Sequence, residues 1–164
     1  MIFAGTAHKF GDDINTDYII PARRKRDTID HAELARYLME DISPGFPDRV
    51  RPGDFIVAGH NFGCGSSREA APLVIKAAGI AGVIAKSFAR IFYRNAINVG
   101  LIALECDTDL IQDGDLISVD LSSGTISRGD LQIKAQPLPK VMLDILKAGG
   151  LLDYLRERRD FITT

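Results

Sequence analysis

Short apolar runs alternate with helix-like segments through the middle of the chain. The runs are three or four residues long and predict buried strands at 55–58, 83–85 and 101–104. The segments between them predict two helices, from about Ser66 to Ala78 and from Phe88 to Asn98. Pro72 is the residue of the first helix that least suits a helix interior. Strands that alternate with helices indicate an α/β fold with a central, mainly parallel sheet and flanking helices.

After Cys106 the pattern becomes that of an antiparallel β ribbon. Leu116–Val119 and Leu131–Ile133 have the composition of strands. Turn residues at 122–124 and 128–130 separate these runs, as expected where strands fold back on each other. We therefore expect a ribbon added to the parallel sheet.

The two ends of the chain carry weaker signals. Residues 11–17 are polar and rich in turn residues, and residues 30–39 have the spacing of a short helix. Residues 43–53 hold three prolines and two glycines and predict a loop. Near the other end, a helix is expected to begin after Pro139 and to end at Gly149.

The composition is that of one soluble globular domain over residues 1–164. Hydrophobic residues make up 46% of the chain, charged residues 26%, and the net charge of −2 gives no general attraction to nucleic acid or acidic membranes. The sequence shows neither a signal peptide nor an apolar run near the ~18 residues of a membrane span, so we expect a cytoplasmic protein. Cys64 and Cys106 are too few for a disulfide scaffold or for a self-contained zinc or iron–sulfur site, so we expect no metal ligands here.

The segment 59–69 concentrates the candidate chemistry, in the sequence Gly-His-Asn-Phe-Gly-Cys-Gly-Ser-Ser-Arg-Glu. Its glycines permit a tight turn and a close approach of the backbone to a ligand. Ser66 and Ser67 fall where the helix is expected to begin, so one of them can cap it. Arg68 can grip a carboxylate with two parallel hydrogen bonds. Local features alone support two interpretations, a small oxyanion site and a tight structural turn.

Known motifs of other enzymes are absent from this turn. It has no GxxxxGK[ST] for phosphate and no GxSxG for a serine hydrolase. A dinucleotide fingerprint GxGxxG fails at Arg68, where the last glycine would be needed.

Segment 59–69 closely resembles the GxNxGxGSSRE signature of the aconitase swivel domain. Its Cys-Gly-Ser-Ser form is similar to the small subunits of 3-isopropylmalate dehydratase and homoaconitase. The blocks Asn-Thr-Asp-Tyr-Ile-Ile-Pro-Ala at 15–22 and Lys-Ser-Phe-Ala-Arg-Ile-Phe-Tyr-Arg-Asn-Ala at 86–96 agree in order and spacing. The resemblance covers essentially the whole chain and implies a swivel-like domain.

The resemblance implies a hydro-lyase subunit that moves a hydroxyl between adjacent carbons of a hydroxy di- or tricarboxylate. Ser66 matches the base that takes a proton from carbon, and Ser67 and Arg68 match residues at a substrate carboxylate. Asp17 matches a member of the catalytic polar network. The family's [4Fe–4S] cluster would be bound by a partner large subunit, because this chain lacks the cysteines. The first-ranked activity is the isomerisation of 2- and 3-isopropylmalate in leucine biosynthesis.

The basic run 23–26 leaves the substrate open. In the family, the position of Arg26 belongs to a loop that senses the distinguishing group of the substrate, and homoaconitases have arginine there. Arg26 could therefore bind an extra carboxylate, with homoaconitase or another substituted-malate dehydratase as the alternative activity. The run could instead be a solvated loop, or the basis of a nucleic-acid-binding module. Among other residues, we expect His8 and His31 at the surface and Cys64 as a small packed residue.

Overall fold

The computed structural model describes residues 1–162, which contain seven strands in one sheet. The strands are β1 (Ile2–Lys9), β2 (Phe55–Ala58), β3 (Gly82–Ala85), β4 (Ile102–Glu105), β5 (Leu116–Asp120), β6 (Thr125–Arg128) and β7 (Leu131–Lys134). Their order is β4-β3-β2-β1-β5-β6-β7. The first four strands pair in parallel and the last three in antiparallel. The predicted α/β fold with a parallel core and an antiparallel ribbon is confirmed.

Strand β1 joins the two halves of the sheet, and the hydrophobic pattern of its residues did not predict a strand there. It pairs in parallel with β2, where Ala7 lies beside Phe55, and in antiparallel with β5. Most of its side chains are exposed or half-buried, so it lacks the apolar run that marks β2. Gly5 allows the close approach, since a Cβ there would overlap the carbonyl group of Gly53. Backbone pairing on both sides, rather than apolar side chains, defines this strand.

Short helical turns fill the segment between β1 and β2. They are α1 (Thr16–Ile19), a 3₁₀ helix at Ala22–Arg26, α2 (His31–Leu34), a second 3₁₀ helix at Ala35–Tyr37, and α3 (Phe46–Arg49). Helix α3 lies inside the segment 43–53 that was predicted as a loop. It begins at a left-handed Gly45 and buries Phe46. The apolar contact of Phe46 with the core accounts for a helical turn in so proline-rich a stretch.

Four longer helices complete the fold, α4 (Ala70–Ala77), α5 (Arg90–Asn98), α6 (Lys140–Ala148) and α7 (Leu151–Ile162). The first three were predicted, and α7 was not. Pro72 is tolerated because it lies in the first turn of α4, where backbone N–H groups have no partner within the helix. Residues 163–164, the end of the predicted domain 1–164, lie outside the described residues. Within those residues, none of the helices has the length and apolarity to cross a bilayer.

The parallel strands are buried on both faces. All residues of β2 and β3 are buried, and they join one cluster of apolar residues with α4 and α5. Such burial explains why these strands appear in the sequence as unbroken apolar runs. The loops that follow β1, β2 and β3 emerge together at the carboxyl edge of this rigid layer.

Candidate active site

The loop 59–69 leaves the carboxyl end of β2 and leads into α4. Gly63 and Gly65 adopt left-handed conformations, with φ of 82° and 89°. Any side chain at Gly63 would also overlap the ring of Phe92. Glycine at 63 is therefore required both by the backbone and by the packing of α5 against the loop.

The loop after β1 holds one side of loop 59–69. Backbone bonds join Gly63 N–H to the Ile14 carbonyl at 2.8 Å and Thr16 N–H to the Cys64 carbonyl at 2.9 Å. The Asp12 carboxylate accepts a bond of 2.7 Å from His60 N–H. These contacts connect residues about fifty positions apart, so the two loops form one structure.

The segment that follows β3 contacts the other side of loop 59–69. Asn61 N–H donates to Ser87 Oγ at 2.8 Å, and Phe62 N–H donates to the Ser87 carbonyl at 3.0 Å. The Phe62 ring is fully buried and packs edge-on against Phe92, with ring centroids 5.2 Å apart. The first half of the loop is thus fixed on both flanks.

Ser66 and Ser67 are exposed and precede the helix instead of capping it. Helix α4 begins at Ala70, and Glu69 occupies the cap position without a side-chain cap bond. The expectation that one serine caps this helix was wrong, because the chain makes a further turn before helical geometry begins. Neither hydroxyl is used as a cap, so both remain available to a ligand.

Arg68 is held by one carboxylate and has hydrogen-bonding capacity left over. Its Nη2 lies 2.9 Å from Asp17 Oδ1, and 22% of its side chain is exposed. Its Nε–H is buried without an acceptor in the structure. A buried donor without a partner is costly. A ligand carboxylate that reached the guanidinium would supply such an acceptor.

A cavity of about 740 Å³ opens beside this arginine, and its walls include Lys25, His31, Ser66, Ser67 and Arg68. Burial lowers the pKa of the Lys25 ammonium, and the nearby Arg68 lowers it further while Asp17 opposes the effect. Lys25 therefore lies close to the charged pair. Sequence reasoning assigned substrate recognition to Arg26 rather than to Lys25, and it expected His31 at the surface.

The three arginines of the basic run, unlike Lys25, do not line the cavity. Arg23 and Arg24 form ion pairs with Glu40, and Arg23 also pairs with Asp41 at 2.7 Å. Arg26 is exposed and does not line the cavity. The structure thus brings together Ser66, Ser67, Arg68 and Asp17, whereas Arg26 is not among the residues that line the cavity. Because the run folds as a 3₁₀ helix, its neighbouring side chains point in different directions.

The two cysteines of this chain do not fit an iron–sulfur cluster. Burial and the neighbouring Asp13 raise the pKa of Cys64, and burial with Asp107 raises that of Cys106 to about 11. Clusters are held by thiolates, usually from three or four cysteines. Within residues 1–162, histidine, cysteine and carboxylate side chains do not gather in groups of three or more that could hold a metal.

The fold and the loop define an aconitase-type domain. The family model of the aconitase C-terminal domain matches residues 25–109. The 3-isopropylmalate dehydratase small subunit 2 of Archaeoglobus fulgidus is 55% identical over 163 residues, which are 98% of each chain. The methanogen homoaconitase small subunit of Methanocaldococcus jannaschii is 53% identical over 161 residues, 97% of this chain and 94% of that one.

A solved structure agrees with these relatives. The crystal structure of 3-isopropylmalate dehydratase from Methanocaldococcus jannaschii superimposes with a TM-score of 0.95 at 52% identity, covering 99% of this chain and 98% of that chain. This chain belongs to the family of small subunits of 3-isopropylmalate dehydratase and homoaconitase. The resemblance seen in the three sequence blocks is confirmed.

Proposed function

We propose that this chain is the small subunit of a cytoplasmic hydro-lyase that isomerises 2- and 3-isopropylmalate in leucine biosynthesis. The observation that carries the proposal is the cavity where Ser66 and Ser67 are exposed beside Arg68, whose buried Nε–H has no acceptor in the part of the chain that the structure describes. A substrate carboxylate matches that arrangement. The relatives that are 3-isopropylmalate dehydratase small subunits support the choice of substrate.

In this proposal each residue of the loop has one task. Arg68 and Ser67 bind a substrate carboxylate, and Asp17 keeps the guanidinium in place through Nη2. The Ser66 oxygen takes a proton from the substrate carbon as hydroxide leaves the adjacent carbon and a double bond forms. Return of the proton and of hydroxide, together one water molecule, to exchanged carbons gives the isomer. A serine hydroxyl is a weak base, so Arg68 would also stabilise its alkoxide.

We propose that a large subunit binds the [4Fe–4S] cluster that the family implies. Cys64 and Cys106 cannot supply its ligands, as their number and raised pKa values indicate. We therefore expect this chain to fold alone and to show no dehydratase activity by itself. The test is to assay the pure chain, a large subunit with three cluster cysteines, and the mixture of both, with 3-isopropylmalate. Turnover by this chain alone, or none by the mixture, would refute the proposal.

Homoaconitase is a second candidate, and the position of Lys25 favours it. A cation in the cavity suits an extra carboxylate better than an isopropyl group, and a homoaconitase small subunit is 53% identical. The sequence had assigned this task to Arg26, so the two cations must be compared. If Lys25 binds the extra carboxylate, Lys25→Leu should lower kcat/KM for homoaconitate and not for isopropylmalate. The loss should correspond to about 2 kcal/mol of transition-state free energy.

Arg26→Val is the matched comparison, because it removes a neighbouring cation that is exposed. A selective loss with Arg26→Val would restore the sequence prediction. Equal effects on homoaconitate and isopropylmalate would show that the basic run does not set specificity.

The nucleic-acid alternative is weakened by the ion pairs of Arg23 and Arg24, because these cations are already paired with carboxylates. A salt-dependent complex with RNA would favour that alternative.

A further inference from the structure

Thr16 is a buried polar residue whose backbone N–H and side-chain hydroxyl both bond to the candidate active-site loop. It is 2% exposed. Its N–H donates to the Cys64 carbonyl at 2.9 Å, and its Oγ1 donates to the Ser66 carbonyl at 2.8 Å. The two bonds span Gly65, whose left-handed backbone directs the chain towards Ser66. Thr16 therefore clamps the loop on either side of a flexible glycine.

The second of these bonds, from Thr16 Oγ1 to the Ser66 carbonyl, holds the proposed catalytic base. Within residues 1–162, no other hydrogen bond to the main chain of Ser66 is found. The Ser66 side chain is exposed. Its Oγ position therefore depends on the backbone, and the backbone depends on Thr16.

We propose that Thr16 is a positioning residue that sets the location of the Ser66 hydroxyl. The proposal rests on the proposed role of Ser66 as base. Adjacent residues of α1 divide the task, since Thr16 holds Ser66 and Asp17 holds Arg68. Loss of the Thr16 hydroxyl should therefore disturb the base and leave the carboxylate grip in place.

The test compares Thr16→Val and Thr16→Ser in the enzyme assembled with its large subunit. We expect Thr16→Val to lower kcat about 10²-fold, because a displacement of about 1 Å costs that much in an aligned active site. KM should change by less than roughly three-fold, since ground-state binding through Arg68 is retained. Thr16→Ser keeps the donor and should restore most of kcat. A wild-type kcat in Thr16→Val, or a Thr16→Ser variant as slow as Thr16→Val, would overturn the proposal.

Thr108 provides a matched control for general damage to the fold. It is 1% exposed, and its Oγ1 donates to the Ala58 carbonyl at 2.8 Å, so it has the same chemistry at the end of β2. Thr108→Val should lose comparable stability with little loss of kcat. An equal loss of kcat in both valine variants would assign Thr16 a purely structural role. If Thr16→Val fails to fold, Thr16→Ala removes the same donor without placing a methyl group against the Ser66 carbonyl, and the same results are expected.

A second measurement does not depend on enzyme activity. Cys64 is half-buried beside the clamp and Cys106 is buried, so maleimide labelling of the free chain reports mainly on Cys64. We expect faster labelling of Cys64 in Thr16→Val than in the wild type or in Thr108→Val. Unchanged labelling in Thr16→Val would count against the clamp. A wild-type enzyme without turnover would refute the proposed function, while the labelling would still decide whether Thr16 fixes the loop.

Discussion

The two ends of β2 carry polar groups in opposite states. At the amino end, Asp54 has a side chain that is 5% exposed and accepts bonds from the N–H groups of Thr6 at 3.0 Å and Arg51 at 2.9 Å. His8 Nε2 lies 2.8 Å from Oδ2 of Asp54, the oxygen that also accepts the bond from Arg51 N–H, whereas Thr6 N–H donates to Oδ1. At the carboxyl end, by contrast, the Nε–H of Arg68 is buried and finds no acceptor among residues 1–162. One end is saturated with hydrogen bonds, and the other is incomplete.

The difference separates a structural polar cluster from a candidate binding site. A fully satisfied buried network stabilises a fold and leaves nothing for a ligand to bind. An unsatisfied donor beside exposed hydroxyls gains partners when a ligand arrives. Sequence reasoning had placed His8 at the surface, which was wrong, because β1 pairs with β2 and brings His8 to Asp54.

The largest effect should come from Ser66→Ala in the assembled enzyme. Removal of a general base lowers kcat by about 10²- to 10⁴-fold, and we expect the upper part of that range with little change in KM. The free energy of unfolding should not change, since the side chain is exposed. Ser122→Ala, another exposed serine, is the control. Retention of more than a few per cent of wild-type turnover by Ser66→Ala would exclude the base assignment.

Arg68→Lys should have a smaller and different effect. Lysine keeps the charge and loses the planar fork, so kcat/KM should fall by about 2 kcal/mol, or roughly 30-fold. KM should rise as kcat falls, because the carboxylate is bound in the ground state as well. Steady-state kinetics would show whether the loss is shared in this way. An unchanged KM would mean that Arg68 does not grip the substrate.

Asp54→Asn should lower stability without affecting the reaction. The amide group would present a donor to the donors that surround Asp54, at a cost of about 2 kcal/mol. For a domain of this size the melting temperature should fall by roughly 4–8 °C. The matched control is Asp130→Asn, at an exposed turn position. Loss of kcat in the folded Asp54→Asn enzyme would contradict the contrast between the two ends of β2.

The smallest effect is the pH dependence of the stability difference between wild type and Asp54→Asn. Burial alone would raise the pKa of Asp54, but bonds from Arg51, His8 and Thr6 outweigh it, and the pKa lies below its ordinary value of 3.8. A depressed folded pKa stabilises the protein above the unfolded pKa, and this stabilisation disappears as pH falls through the folded value. Denaturant unfolding should therefore show a gap between wild type and Asp54→Asn that is constant above about pH 5 and narrows below pH 3.8. A gap independent of pH would show that the carboxylate charge contributes nothing.

Local patterns predicted the elements whose signals are local. Strand β2 was predicted at its true bounds, because every residue of it is buried and apolar. Strand β1 was missed, since its place is fixed by pairing with strands more than forty positions away. Helix α7 was missed too, although residues 151–162 are continuously helical. It directly follows Gly149 and Gly150, the residues taken as the end of the preceding helix.

By itself, the sequence determined the parallel core, the glycine turn, and the family resemblance, which rests on one block that holds Ser66, Ser67 and Arg68 and on another that holds Asp17. Only the tertiary structure decided how these residues are held. It showed that the serines precede the helix, that Lys25 and not Arg26 lines the cavity, and that Thr16 reaches Ser66. The physical reason is distance along the chain. A loop that is rich in glycine takes its shape from neighbours about fifty residues away, and a linear pattern does not contain their positions.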